Sequence, residues 1–477
     1  MKMNPLLRIL TILPALMAAT FNAQAAETPP ASKPNIVFIL VDDLGVECLG
    51  CYGSPYYKTP NIDKLAAGGA RFLEAYSEPL CTPSRVQLLT GKHNFRNYTH
   101  FAELDLSQRT FAQALQEAGY KTDIAGKWQL SAGNFNGPFQ AGFDEYCLWH
   151  FDNKKVGGKN EEEEGGKGSR YKSPKLYENG KEMPDTEGKY GPDITLDHLL
   201  NFIRKHQNEP FLAYFTSILT HDPFCPTPDS PKWAESNPLA RSDTKEFKGM
   251  VEYMDKQVGE IVKTLDELHL REKTLIIFTA DNGTNKTIVS PFPVRKEIRG
   301  GKGLMIDDGN HVGFIGNWPG TIPAGTVVKT QIDFTDVFPT FCAVSGAALP
   351  KDLYGQNLLP FMKGDESNAR GWVFQSFARE GVNYRYFVRQ GPYKLYATGQ
   401  LYDVPHDWLE KNPLKSPELE PVRQKLEGIL QSVMSTGPQG DSSPKGKSKN
   451  GSQPKKGKKK TAQENENASE NANASDQ

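Results

Sequence analysis

Cys81 heads the run Cys81-Thr82-Pro83-Ser84-Arg85, and the apolar, helix-like residues 86–89 follow at once. It is the first candidate for a reactive group. Asp42 and Asp43 directly follow the apolar run 35–41, and Asp281 and Asn282 directly follow the apolar run 274–280. The two pairs lie far apart in the chain, but each ends a strand-length run, so an open sheet would bring all four to one edge. Four hard oxygen donors together suit Ca²⁺, and Mg²⁺ less well. Alone, Asp42-Asp43-Leu44-Gly45 reads as well as a helix cap, and Asp281-Asn282-Gly283 as a turn. Combined with the Cys81 run, the metal edge is the stronger reading.

The elements that must position these groups follow from periodicity. Residues 35–41, 210–219 and 274–280 are nearly unbroken apolar runs that end in polar residues, as buried parallel strands do at their carboxyl edge. The second leads into Thr220-His221-Asp222-Pro223. Between them, Ser107 is placed to cap a helix with Phe111, Leu115 and Ala118 on one face. Val251, Met254, Val258, Ile261, Leu265 and Leu268 keep helical spacing. Alternating strands and helices predict an α/β domain with a mostly parallel sheet over about residues 33–345. Residues 153–190, rich in Gly, Lys and Glu and without a sustained period, read as a solvated surface insertion. Trp149, His150 and that insertion are equally candidates to line a substrate cleft. After Pro350, alternating stretches at 372–377, 384–388 and 393–396, with a turn at Gln390-Gly391-Pro392, predict a small antiparallel sheet. A helix at about 416–434 follows, giving a C-terminal subdomain over 346–436. Residues 437–477 contain eight lysines and Asn/Glu repeats with little to bury, and are expected to be disordered and solubilising.

Lys2 and Arg8, the apolar residues 9–20 and Ala23-Gln24-Ala25 have the layout of a signal peptide over 1–25, too short to span a bilayer, so the chain is expected to be exported to the periplasm or beyond. The formal charge of −1 becomes −3 without those two cations, which points away from nucleic-acid binding. Six cysteines in a chain of this length are too few for a disulfide framework. Cys48 and Cys51 have C-x-x-C spacing but no second ligand pair, and read as ordinary thiols.

The Cys81 run, ending in Leu89-Thr90-Gly91, resembles the signature of type I sulfatases of the alkaline-phosphatase-like superfamily. The resemblance extends in order through Ile36 to Gly45, Gly119-Tyr120 to Gly126-Lys127-Trp128, the His221 strand end, Asp281-Asn282-Gly283 and Arg299-Gly300-Gly301-Lys302-Gly303. Tyr393-Lys394-Leu395 and Leu401-Tyr402-Asp403 resemble that family's small domain. The resemblance implies a large mixed sheet sandwiched by helices with a small antiparallel subdomain. It also implies that a maturation enzyme oxidises Cys81 to formylglycine, whose hydrate attacks the sulfur, contacts the metal with Asp42, Asp43, Asp281 and Asn282, and forms a sulfoenzyme. Arg85 then matches the arginine supporting the hydrate, Lys127 and Lys302 the lysines on the sulfate oxygens, and His221 the proton donor near the leaving oxygen. Desulfation of a polysaccharide or glycosaminoglycan is the implied reaction.

The sequence departs from the family in two places. Where the family reads Gly-Lys-Trp-His-Leu-Gly, Gln129 replaces the histidine thought to help the hydrate lose its proton, and an amide cannot act as that base near neutral pH. His93 and His100 are candidates to compensate. Asp307-Asp308-Gly309-Asn310-His311 replaces the commoner Glu-Gly-Gly and a following arginine, a change that bears on substrate choice. Two other readings remain open: a phosphonate or phosphate ester hydrolase on the same scaffold, and a sulfated-glycan-binding protein that has lost turnover.

Overall fold

The computed structural model describes residues 33–436, except 132, 150–154, 157–158, 161–169 and 238–241. The expectations for residues 1–25, His150 and the 437–477 tail lie outside the described residues.

Asn35–Val41 is wholly buried, as an unbroken apolar strand must be when helices cover both faces of a parallel sheet. It pairs in parallel with Thr274–Ala280 on one side and Phe211–Thr216 on the other. Lys121–Lys127 and Glu145–Trp149 extend the parallel run. Beyond Thr274–Ala280 the sheet continues through antiparallel His311–Asn317, then Ala70–Tyr76 and Thr326–Asp333, which makes it mixed. At the opposite edge, Tyr177–Glu178 and Lys181–Glu182 complete ten strands.

Side-chain alternation along the strands puts helices on both faces. Tyr214 stacks on Phe38 at 4.8 Å, and Phe111 and Phe341 meet Phe38 edge-on, so the helices Phe111–Glu117 and Val337–Ser345 cover that face. Phe211, three residues before Tyr214 and therefore on the other face, meets Phe202 of the helix Gly191–Lys205. The C-terminal residues form a second, four-stranded antiparallel sheet, Val373–Phe377, Arg385–Gln390, Tyr393–Tyr396 and Leu401–Asp403. Leu426, Leu430 and Val433 of the helix Glu420–Ser435 cluster with its Phe374, Val388, Leu395 and Leu401.

Three expectations need correction. The cap of the helix Phe111–Glu117 is Thr110, whose hydroxyl and Gln113 form a reciprocal capping box, and not Ser107. The strand expected over 210–219 stops at Thr216. The stretch 153–190 is not simply a solvated loop: its hairpin at Tyr177–Glu178 and Lys181–Glu182 pairs with the main sheet, and Arg170, Tyr171 and Leu176 are buried. Two-residue strands carry too few side chains to show a period.

Because the five central strands run the same way, their carboxyl ends share one edge, and in register Val41 lies beside Ala280 and Lys127 beside Trp149. Gly126 makes the close approach there possible. Its φ is +122°, and a Cβ would sit 1.8 Å from the Thr216 carbonyl oxygen, which is backbone and cannot swing away. Gly126→Ala is therefore expected to destabilise the protein by about 3 kcal/mol or more or to abolish soluble expression. Thermal denaturation checks this, and an unchanged Tm would refute it.

Candidate active site

Three strands of the parallel run end in residues that contribute to one buried cluster. Asp42 and Asp43 follow Val41, Asp281 and Asn282 follow Ala280, and Lys127 ends its own strand; all are buried. Cys81 is the first residue of the helix Cys81–Thr90, which is buried along its whole length, so the thiol is held at that edge with 1% exposure. Lys302 and His221 come from loops.

The charges pair across elements. Lys127 Nζ donates to Asp42 Oδ2 at 2.8 Å. Arg85 donates from Nε and Nη2 to Asp281 Oδ2 at 3.0 and 2.8 Å, and from Nη1 to the Lys127 carbonyl at 3.2 Å. Lys302 Nζ donates to Asp43 Oδ2 at 2.7 Å and lies 3.0 Å from His221 Nε2. Asn282 Nδ2 donates to Asp43 Oδ1 at 2.7 Å, and the Asp43 amide to Asp281 Oδ1 at 3.1 Å. These bonds hold Asp43 at φ 59°, a left-handed conformation costly for a non-glycine residue and common where a site demands it.

The electrostatics follow from burial. Burial raises the Asp42 carboxyl, but the cations Lys127, Arg85 and Lys302 outweigh it and hold Asp42 far below the usual carboxylate range. Burial also raises Asp43, against Lys302 and with help from Asp42. Burial and the Asp42 charge push Asp281 up to about 7, against Arg85 and Lys127. Burial and Lys302 push His221 well below 6.5, so its ring is neutral. Burial raises the Cys81 thiol, although Lys127 and Lys302 favour the thiolate.

The donor set suits a hard divalent cation. Carboxylate oxygens of Asp42 and Asp281 and the Cys81 sulfur lie within 4.8 Å of one another, and atoms of Asp42, Asp43 and His221 form an overlapping group. Asp42 Oδ1 and Asn282 Oδ1 are buried without a hydrogen-bond partner among the described residues, a guanidinium nitrogen of Arg85 standing 3.9 Å from Asp42 Oδ1. A buried acceptor left unpaired costs about 1–3 kcal/mol, more when charged, and a cation would satisfy both oxygens while relieving the repulsion among three carboxylates.

Gln129 is buried with φ 54° and its Oε1 unpartnered. Neither histidine offered as a substitute base is in a comparable setting. His93 packs 4.9 Å from the Phe374 ring, and burial lowers it to about 4; His100 is exposed and pairs with Glu103. Asp307 and Asp308 are held by Arg389 and Arg295, so both aspartates serve as loop anchors. All six cysteines are free thiols.

Sequence reasoning missed Arg170 and Tyr171. Arg170 Nη1 lies 2.7 Å from His221 Nδ1 with its guanidinium 4.1 Å over the Trp149 ring, and the Tyr171 hydroxyl donates to the His221 carbonyl. Both sit near the middle of the aperiodic stretch 153–190, where no local signal marks a residue as buried.

A dry edge with cation ligands, two lysines, an arginine and a neutral histidine around one cysteine is built to receive an oxyanion ester. Residues 34–347 match the family described as Sulfatase, and residues 301–436 match N-sulphoglucosamine sulphohydrolase, C-terminal. Arylsulfatase A of Homo sapiens is 33% identical over 402 residues, 78% of this chain and 76% of that protein. N-acetylgalactosamine-6-O-sulfatase of Bacteroides thetaiotaomicron is 29% identical over 524 aligned positions, 89% of this chain and 98% of that protein. The crystal structure of Ps i-CgsB, also solved in complex with k-i-k-neocarrahexaose, has a TM-score of 0.70 and 25% identity, covering 86% of this chain and 94% of that one. The chain belongs to the sulfatase family, the sulfuric ester hydrolases of the alkaline-phosphatase-like superfamily.

A divalent cation at about 100 times its Kd stabilises the folded state by about 2.7 kcal/mol. Ca²⁺ or Mg²⁺ is accordingly expected to raise the Tm, a chelator to lower it, and Asp42→Ala to abolish the dependence. A parent Tm indifferent to both would argue against a cation at this edge.

Proposed function

We propose that the protein is an exported sulfatase acting on sulfate esters of a polysaccharide or glycosaminoglycan, with Cys81 matured to formylglycine and Ca²⁺ held by Asp42, Asp43, Asp281, Asn282 and residue 81. The observation that carries this reading is the convergence of Lys127, Lys302 and His221, from three different elements, on Asp42 and Asp43, with Cys81 beside Asp42 and Asp281. The raised pKa of Cys81 adds a chemical argument. A thiol at neutral pH is a weak nucleophile, so this position needs the oxidation that the family signature directs. With 1% exposure, the side chain is reachable by a maturation enzyme only before this edge has folded.

The hydrated aldehyde supplies the nucleophile, and Ca²⁺ neutralises negative charge that the sulfate brings. Everything else falls to the chain. Lys127 and Lys302, already aimed at the edge by Asp42 and Asp43, bind sulfate oxygens where negative charge must be stabilised. His221, near Lys302, can hand a proton to the leaving oxygen only as an imidazolium, so it must first take one up, which the negative charge of a bound sulfate favours. Arg85 keeps Asp281 and the Lys127 strand end together. The Gln129 amide can donate a hydrogen bond to the hydrate or the sulfate but cannot accept the hydrate's proton.

Polymeric substrate is supported by the relatives named for sulfated amino sugars and by the oligosaccharide complex of Ps i-CgsB. Export is supported by the basic and apolar residues of 1–25, and among the described residues no helix is long and apolar enough to cross a membrane. The match over 34–347 supports a catalytic domain over 33–345, and the match over 301–436, which overlaps it, supports a C-terminal subdomain, here 346–436, that ends at 436.

The deciding experiment is mass spectrometry of the Cys81 tryptic peptide from protein matured in its native host, with sulfate release from 4-nitrophenyl sulfate. A loss of about 18 Da with turnover is expected. An unmodified thiol and tight binding without release would support the glycan-binding reading, and faster cleavage of 4-nitrophenyl phosphate the phosphate ester reading.

In matured enzyme, Lys127→Ala and Lys302→Ala are each expected to lower kcat/KM by about 10²–10³. His221→Ala should lower kcat by about 10²–10⁴ for an alkyl sulfate but much less for 4-nitrophenyl sulfate, whose leaving group needs little protonation. Equal losses on both esters would remove His221 from the acid role.

A further inference from the structure

Lys302 stands on residues 300–306, which form neither helix nor strand. Its amine must nevertheless sit within hydrogen-bond reach of Asp43 and His221. Part of what holds it is local: the Lys302 amide donates to the Thr284 carbonyl at 3.1 Å, and the Gly303 amide to the Pro79 carbonyl at 2.7 Å. The rest comes from the C-terminal sheet. Lys394, wholly buried on the strand Tyr393–Tyr396, donates to the Met305 carbonyl, and the Tyr396 hydroxyl reaches the same oxygen at 3.3 Å. Glu410 pairs with Lys394 at 2.7 Å and accepts from Tyr396. On the neighbouring strand, Arg389 Nη1 donates to both Asp307 oxygens at 2.7 Å, while its Nη2 lies 3.1 Å from Glu74 on the main sheet.

A buried lysine is expensive to keep for stability alone, since an apolar residue of the same volume often serves as well or better. Lys394 has a geometric task that an apolar residue lacks. Its three donors join Glu410 to a carbonyl three residues from Lys302, and its ammonium stacks 3.9 Å from the Phe387 ring, which keeps it in place. Burial lowers its pKa and Glu410 opposes that.

We propose that Lys394, with Glu410, is a positioning pair of the C-terminal sheet that sets the active-site lysine, Lys302, by clamping the Met305 carbonyl, with Arg389 and Asp307 as a second clamp on the same loop. The small sheet thus takes part in the reaction without touching the substrate. This rests on the proposed role of Lys302, so the test has an arm that does not depend on turnover.

Lys394→Met alone leaves the Glu410 carboxylate buried without its cation, so the working variant is Lys394→Met/Glu410→Gln, with soluble, cooperatively unfolding protein as the entry condition and Lys394→Arg as the charge-keeping variant should it fail. In matured enzyme the pair should lower kcat/KM for 4-nitrophenyl sulfate by about tenfold, whereas in a Lys302→Ala background the same pair should change it less than twofold, the non-additivity expected when one site acts through another. Independently, hydrogen exchange should become faster at amides 300–306 and stay unchanged at 311–317. Equal losses in both backgrounds, or unchanged exchange over 300–306, would overturn the proposal. A parent that releases no sulfate defeats the proposed function and leaves the exchange result to decide this one.

Discussion

Three carboxylates and three side-chain cations share a buried edge, and the rest of the site depends on that balance. Each pairs across elements distant in the chain: Asp42 with Lys127, Asp281 with Arg85, Asp43 with Lys302. Buried ion pairs contribute little net stability because desolvation offsets their attraction. What they supply is position. Three carboxylates opposite three cations leave little surplus for an incoming anion, and a divalent cation held by Asp42 and Asn282 would tip the edge positive. An oxyanion ester then finds field and hydrogen-bond donors already oriented, which is the economical way to stabilise charge in a low-dielectric site.

Backbone geometry meets the same demand. The central strands must end in step and then turn their side chains toward one point. Gly126 lets two strands approach where any Cβ would strike the Thr216 carbonyl, and Asp43 and Gln129 take left-handed conformations just past strand ends. Non-glycine residues accept such conformations when surrounding contacts over-determine them. For Asp43 the contacts are visible: Asn282, Lys302 and Asp281 each bind it.

The two sheets are joined by polar contacts as well as apolar packing. Arg389 reaches Asp307 and Glu74, Arg370 reaches Asp333 and Asp336, and Ser376 donates its amide to Glu78, three residues before Cys81. Directional bonds of this kind fix register in a way that apolar contact does not. That suits a fold in which the Lys302 loop and the Cys81 helix both lie against the smaller sheet.

Much of the site was legible in the residues. A buried parallel strand is a local object, an apolar run closed by polar residues, so Asp42, Asp43, Asp281 and Asn282 could be assigned to one edge before any coordinates. Cys81, Lys127, His221 and Lys302 were legible because they sit inside short motifs. Arg170 and Tyr171 were not, nor the roles of Lys394, Arg389 and Asp307. Arg170 meets His221 across 51 positions and Arg389 meets Asp307 across 82, in or beside stretches with no period. The hairpin in the insertion escaped notice because two-residue strands cannot display alternation, and the helix cap was misassigned to Ser107 because several residues before Phe111 can cap. The sequence by itself determined the fold class and the polar strand ends and cysteine that meet at one edge, because each is written in neighbouring residues. Only the tertiary structure decided which loop cations and which residues of the second sheet hold those groups in place, because such contacts depend on where aperiodic segments come to rest against distant surfaces.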